Sequence, residues 1–135
     1  MSLKTVFDIA ATAATAQNAR LNAVASNLAN AEAAAGPDGR AYRAKQVVFQ
    51  PVPVADPRGP QGVRVAAIRE DDAAPRRVHD PKHPLADAEG YVTLANVNVV
   101  DEMVNMISAS RAYQNAVEVM NTAKQLQLKA LTLGS

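Results

Sequence analysis

The sequence of 135 residues contains no cysteine and no tryptophan, and aromatic residues make up only 4% of it. Without cysteine, disulfide bonds and thiolate metal sites are excluded. Hydrophobic residues amount to 48%, but many of them are alanine. Because alanine favours helices yet buries little apolar area, the core of so small a chain is expected to be thin. Burial against other copies would then supply the missing stabilisation.

Long hydrophobic runs are also absent. The N-terminal stretch is interrupted by Asp8 and Thr12, which excludes a signal peptide of ordinary length, and no later run is long enough to cross a membrane. Export from the cytosol would therefore need a route that does not read a cleaved signal peptide. The formal net charge is only +1, with both signs mixed along the chain, which argues against a nucleic-acid partner.

Glycine and proline are missing from both ends of the chain. Residues 3–35 and 96–133 contain neither, whereas every proline and nearly every glycine lies in the middle. This distribution predicts an N-terminal helix within 1–35, a small β-rich segment over 36–95 and a C-terminal helix within 96–135. The expected fold is mainly α with a small β insert, in which two coiled-coil-like terminal helices are joined by a segment that contains a β-hairpin.

The N-terminal helix carries a seven-residue hydrophobic repeat. One row contains Phe7, Ala14, Leu21 and Leu28, and the interleaved row contains Ala10, Gln17, Val24 and Ala31. Gln17 is the single polar member. A repeat of this kind predicts a helix that packs lengthwise against another helix.

The C-terminal helix has a wider apolar arc. Two rows follow the heptad, with Ala116, Ala123 and Ala130 in one and Ala112, Val119, Leu126 and Leu133 in the other. A neighbouring stripe adds Ile107, Tyr113, Val117, Met120, Leu128 and Leu131. This arc exceeds what a two-helix seam needs, so we expect one face to meet the N-terminal helix and a second face to meet another subunit.

The middle segment reads as turns and short strands. The sequence from Gly36 to Gly39 is a strong turn signal. The strand candidates are residues 42–50, 62–68 and 91–94, and four prolines between the first two discourage a central-strand position nearby.

Candidate chemistry is weak throughout. His79 and His83 have a spacing that suits a metal on a helix, but Pro81 and Pro84 make a regular helix improbable there, and no third ligand is evident. The acidic run Glu70, Asp71 and Asp72 and the pair Arg76 and Arg77 read as solvated loops. We therefore expect no catalytic residue, no cofactor and no metal site.

Two terminal motifs carry a resemblance to a known family. The run Ser26-Asn-Leu-Ala-Asn30, and the run that places Glu102-Met-Val104 before Arg111-Ala-Tyr-Gln114, resemble the signatures of the flagellar axial proteins, which form the rod, hook and hook-associated parts. The stretches 36–49 and 80–92 are similar to those of proximal-rod members of this family. Local departures are His79, where similar proteins often carry Tyr, and Ala95, where a proline is common.

The resemblance implies a structural function. Similar proteins pair their terminal helices in an inner layer that lines a tube, place the middle segment outside, and stack helically into the hollow rod that crosses the periplasm. Their implied partners are further copies of themselves, other rod proteins and the flagellar type III export apparatus, which would account for the missing signal peptide. The chain is thus expected to be a non-enzymatic subunit of a helical hetero-oligomer in the flagellar basal body.

An assembly interface can be proposed from the motifs and the stripes together. Small residues in it would let helices approach closely, so that Trp at Ala14 or Ala123 should block assembly by overpacking. Arg111 is expected to pair with an acidic group on a neighbour. The interface residues are Phe7, Ala10, Ala14, Leu21, Val24, Asn27, Leu28, Asn30, Met103, Val104, Ile107, Arg111, Tyr113, Gln114, Val119, Met120, Ala123 and Leu126.

Two other classes of function stay open on sequence alone. One is a small export adaptor or binding module with a helical hairpin and a displayed β-loop. The other is an enzyme with an acid site near Asp71 or His83, which lacks a convergent catalytic set.

Overall fold

A computed structural model describes residues 1–134 as two long helices with four short strands between them. The order along the chain is α1 (Leu3–Ala29), β1 (Lys45–Pro53), β2 (Gln61–Glu70), β3 (Arg76–His79), β4 (Tyr91–Leu94) and α2 (Val99–Leu133). The predicted fold class, mainly α with a small β insert, is confirmed.

Side chains cap the starts of both helices. The Ser2 side chain accepts a hydrogen bond from the N–H of Thr5, and the Asn98 side chain accepts one from the N–H of Asp101 at 3.1 Å. Asp101 and Glu102 place negative charge in the first turn of α2, where the helix dipole favours it. The helix ends at Leu133, and Gly134 caps it.

The two helices pack side by side in antiparallel fashion. Asn27 contacts Glu102, Arg20 contacts Asn105, and residues near Val6 lie beside Val119. The 27 residues of α1 span about 40 Å and the 35 residues of α2 about 52 Å. Val6 lies beside Val119, α1 begins only three residues before Val6, and Ala123 is the last buried residue of α2, so the last turns of α2 extend beyond α1. We call residues 126–133 the overhang.

Small side chains form the buried part of α2. Its buried residues are Ala109, Ala116 and Ala123, one in every heptad. The next member of this row, Ala130, lies on the overhang and is exposed. Alanine at each contact allows the two helix backbones to approach closely, which explains how a core so poor in large residues can still exclude water.

The β1–β2 hairpin packs on α1. Its strands are antiparallel, and Val48 faces Ala67 while Phe49 faces Val65, which leaves Ala66 as the extra residue of a bulge. Gly62 is buried where a Cβ atom would stand only 2.5 Å from the Thr12 hydroxyl oxygen. That hydroxyl also accepts a hydrogen bond from the N–H of Val63 at 3.1 Å, so the hairpin is seated tightly on the helix.

The second sheet was only partly predicted. β4 lies where the sequence places it, but its partner β3 contains Arg76 and Arg77, for which a solvated loop was expected. That expectation was wrong because pairing with β4 gives these exposed residues a regular extended backbone, and no hydrophobic alternation marks such a strand. A small core of Ala31, Ala44, Ala95 and Val97, flanked by Tyr42 and Val99, joins this region to the helices.

The N-terminal helix also ends earlier than the boundary at residue 35. It stops at Ala29, with Asn30 as the cap. Beyond it, Ala34 forms a bridge with Leu94, and the N–H of Ala35 donates to the Thr93 carbonyl oxygen at 2.8 Å. In this alanine-rich stretch, backbone contacts with β4 take the place of the hydrogen bonds that a longer α1 would have formed.

Candidate assembly surface

Asn27 connects three parts of the chain. Its amide nitrogen donates to the Lys45 carbonyl oxygen at 2.9 Å and to a Glu102 carboxylate oxygen at 3.1 Å. Its amide oxygen accepts from the Lys45 N–H at 2.8 Å and from the Tyr42 hydroxyl at 2.9 Å. The side chain is only 1% exposed, and all four of its hydrogen-bonding positions are used. Asn27 therefore joins α1 to the start of β1 and to the first turn of α2.

Further polar contacts support this junction. Ser26 lies 2.8 Å from the Tyr42 hydroxyl, and an Arg20 guanidinium nitrogen donates to Asn105 at 3.2 Å. Arg76 reaches back from β3 to the Ala31 carbonyl oxygen at 3.1 Å and to Glu32 at 3.0 Å. The motif that contains Asn27 thus fixes how the helices and the middle segment meet within one subunit.

One side of α2 remains uncovered along most of its length. Among the regular elements that the structure describes, α2 packs against α1 alone, whereas α1 also carries the β1–β2 hairpin. Large apolar side chains stand exposed on the first half of α2, and we call this set the outer α2 face: Val100, Met103, Val104, Met106, Ile107 and Tyr113.

An apolar groove continues from this face. Val6, Ile9 and Ala13 of α1 form one wall, and Ala112, Ala116 and Val119 of α2 form the other. Ala112 and Asn115 also line an adjoining depression with Val104, Ile107 and Arg111. The groove and the outer α2 face therefore form one nearly continuous apolar surface along the helical hairpin.

The overhang presents a second exposed apolar surface. Leu126, Leu128, Leu131 and Leu133 are all exposed there, the last of them by 87%. Four exposed leucines within eight residues are unusual on a surface that stays in water, because scattered single apolar residues are the common case.

The predicted interface residues fall into three groups. Ala10, Ala14, Val24, Asn27 and Ala123 are buried within the single chain, so their direct role is to build the subunit. Phe7, Leu21, Leu28, Asn30 and Met120 are half-buried. The residues exposed for contact with another molecule are Met103, Val104, Ile107, Arg111, Tyr113, Gln114, Val119 and Leu126.

Sequence reasoning missed several residues that organise this region. Tyr42, Glu102 and Arg20 hold Asn27 and the helix pair, and Asn96 binds three backbone groups of the middle segment. All four partners lie far apart in sequence, so no local pattern reveals them. The abundance of asparagine was the available signal, because a buried amide needs several partners.

The candidate chemical groups serve as structural contacts. His83 accepts a hydrogen bond from the N–H of Leu85, and Asp71 accepts one from the N–H of Ala73. His79 contacts the Tyr91 ring edge-on, with 4.9 Å between the ring centroids. Within residues 1–134 no three His, Asp or Glu side chains converge as metal ligands. Neither described helix has an apolar stretch that would be long enough to cross a membrane.

Comparison with known proteins gives one consistent result. Residues 88–133 match the family model described as "Flagellar basal body rod FlgEFG protein C-terminal". Over 134 residues the chain is 58% identical to the flagellar basal-body rod protein FlgC of Escherichia coli O6:H1, with 99% of each chain covered. It is 60% identical to that of Yersinia enterocolitica and 56% identical to that of Salmonella typhimurium, again over 99% of each chain.

Proposed function

Because the chain belongs to the FlgC family of flagellar basal-body rod proteins and is a structural rod subunit, we propose that it polymerises through its terminal helices. In this proposal, copies join each other and other rod proteins in a helical hetero-oligomer. The product is the proximal part of a hollow drive shaft in the periplasm that also serves as an export channel. The subunit is structural, without enzymatic activity.

The observation that carries the proposal is the uncovered apolar surface of α2. Full burial of a Val, Ile, Leu or Met side chain contributes about 1.5 to 3 kcal/mol, so the outer α2 face offers substantial stabilisation to a partner. The overhang lies at the opposite end of the same helix. A contact between two different surfaces of the subunit generates an open helical filament whenever the rotation between neighbours does not close into a ring.

Arg111 supports specificity in this contact. It lies beside Val104 and Ile107 and has no ion pair among residues 1–134. A carboxylate on the neighbouring subunit would complete its hydrogen bonds when the apolar surface around it is buried. A wrong partner without that carboxylate would leave a buried, unpaired charge, which is strongly unfavourable.

The proposal includes export through the flagellar type III apparatus. A subunit whose helix seam consists largely of alanine buries little apolar area per residue, which lowers the free energy needed to unfold it for passage through a narrow channel. The apolar surfaces then become buried on assembly at the growing rod.

The decisive experiment compares two isoleucines with similar exposure. Ile107 is 54% exposed on the outer α2 face, and Ile68 is 58% exposed on the β1–β2 hairpin. In a strain that lacks the chromosomal gene, Ile107→Glu should abolish swimming and remove the protein from purified hook–basal bodies, measured by mass spectrometry. Ile68→Glu should retain both, because it adds the same charge outside the proposed contact.

Normal rods and normal motility in the Ile107→Glu strain would contradict the assembly model. Thermal unfolding of both purified variants should remain close to that of the parent chain, since neither side chain is buried in the subunit. A loss of assembly can then be assigned to the contact rather than to misfolding.

A further inference from the structure

The middle segment contains a recess that the assembly surface does not involve. Its walls come from the loop before β1, the start of β1, the end of β2 and the turn that follows, and none of its lining residues belongs to α1 or α2. The cavity measures about 650 Å3, which is large enough for several side chains of a bound peptide rather than for a single small ion.

Three cations surround this recess. Arg40, Arg43 and Lys45 line it, whereas Glu70 is the one acidic residue among the lining groups. Arg43 also lies 3.7 Å from Asp72, but both side chains are strongly exposed, so solvent weakens that ion pair. Arg40 and Lys45 form no ion pair within residues 1–134. The recess therefore has a surplus of positive charge.

Asn96 holds the walls of the recess in place. Its amide oxygen accepts from the N–H of Ala44 at 2.7 Å, and its amide nitrogen donates to the carbonyl oxygens of Asp71 and Ala73 at 3.1 and 2.8 Å. One side chain thus ties the entry to β1 to the turn after β2. The cations that flank Ala44 consequently project from a fixed backbone, which reduces the entropy that a bound partner would have to remove.

We propose that this recess is a docking site for an acidic polypeptide segment of another protein, separate from the apolar surface of α2. Two or three carboxylates spaced along an extended segment match the cluster, since Arg40, Arg43 and Lys45 line one recess within six consecutive residues. Arginine also binds carboxylates with two parallel hydrogen bonds, which adds geometric selectivity. A neighbouring component could in this way recognise the outer part of the subunit.

The test uses the full chain and a fluorescent hexapeptide of glutamate as the probe. Binding is measured by fluorescence anisotropy at low and at physiological ionic strength. The parent chain should bind, and Arg40→Gln/Arg43→Gln/Lys45→Gln should weaken binding by about tenfold or more, as the loss of three partly exposed charge pairs implies. Salt should weaken binding by the parent chain.

A matched triple provides the control. Arg58→Gln/Arg64→Gln/Arg69→Gln removes the same charge from the β1–β2 hairpin and its turn, outside the recess, and should bind like the parent. The single variant Arg43→Glu should also lose binding. Because it changes only one exposed side chain, it still tests the proposal if a triple variant fails to fold.

Three results would overturn the proposal. The parent chain could fail to bind the hexapeptide, or the two triples could lose equal affinity, which would indicate attraction to net charge alone. Inorganic phosphate could also compete as well as the peptide, which would make the recess a small-anion site. Because the assay uses single subunits, none of these outcomes depends on whether the α2 surface assembles.

Discussion

At the scale of single residues, the asparagines of this chain have distinct physical functions. Asn27 satisfies four groups at the junction of both helices with β1, Asn98 caps α2, and Asn96 holds the walls of the basic recess. Asn22, by contrast, is exposed on α1. Asparagine is a middling helix former, so its presence at these sites is explained by its side-chain contacts rather than by helix propensity.

Replacement of Asn27 with Ala should destabilise the subunit. It would remove the partner of the Lys45 backbone groups and of Glu102 and leave the Tyr42 hydroxyl with Ser26 alone, so we expect a loss of about 2 to 4 kcal/mol in the free energy of unfolding. The measurement is urea unfolding followed by circular dichroism. Asn22→Ala, in the same helix but exposed, should change it by less than about 0.5 kcal/mol. Equal effects of the two substitutions would refute the junction role of Asn27.

Asp87 should make the stability of the β3–β4 hairpin dependent on pH in the acidic range. The hydrogen bond from the Tyr91 N–H, together with the Glu89 N–H and the Arg77 guanidinium, holds the pKa of Asp87 below its ordinary value of 3.8, against an opposing contribution from desolvation. A lowered folded pKa stabilises the hairpin above the unfolded pKa, and this stabilisation is lost as the pH falls through the folded pKa. NMR spectra should show the Tyr91 amide signal shifting as the pH falls through the folded-state pKa of Asp87. The variant Asp87→Asn should remove this transition. A transition at or above the ordinary pKa would contradict this account.

At the scale of elements, the row of alanines on α2 sets the distance between the helices. Ala116 is buried against α1, whereas Ala130 occupies the same row on the overhang. Alanines of the same heptad row are thus buried where α1 lies beside α2 and exposed beyond the point where α1 begins.

Leucine should destabilise the subunit at Ala116 and leave its stability unchanged at Ala130. Ala116→Leu forces extra atoms into the seam and should reduce the free energy of unfolding by about 1 to 3 kcal/mol. Ala130→Leu meets no helix and should leave the thermal midpoint of the isolated subunit unchanged. Calorimetry of both variants measures the difference, and an unaffected Ala116→Leu chain would mean that the helices do not pack closely in solution.

The helices were easier to predict from sequence than the strands. The absence of glycine and proline and the heptad rows identified α1 and α2, because both signals are local. The end of α1 at Ala29 was not predictable, since it depends on the bridge between Ala34 and Leu94 from distant parts of the chain. β3 was missed for the same reason: Arg76 and Arg77 acquire their strand geometry from β4. The sequence likewise could not show which predicted interface residues are buried and which are exposed, because this depends on how α1 packs on α2.

At the scale of the whole molecule, the unequal lengths of the helices separate folding from assembly. The part of α2 beside α1 buries its alanines within the subunit, while the overhang exposes four leucines that contribute nothing visible to the single chain. Such residues are explained if a neighbouring subunit covers them, which is the expected arrangement for a protein that functions as a filament.

Removal of the overhang beyond Leu126, its first residue, should therefore abolish assembly and leave the subunit folded. A chain that ends at Leu126 should unfold at nearly the same temperature as the parent, because the deleted turns lie beyond α1, but it should fail to enter basal bodies and to restore swimming to a deletion strain. The variant Leu128→Gln/Leu131→Gln/Leu133→Gln keeps the length of α2 and removes only its apolar contacts, so it should fail in the same way. If this full-length variant restores swimming while the shortened chain does not, helix length rather than apolar burial is what the rod requires. If both restore it, the overhang has no part in the rod contact, and the outer α2 face must carry that contact alone.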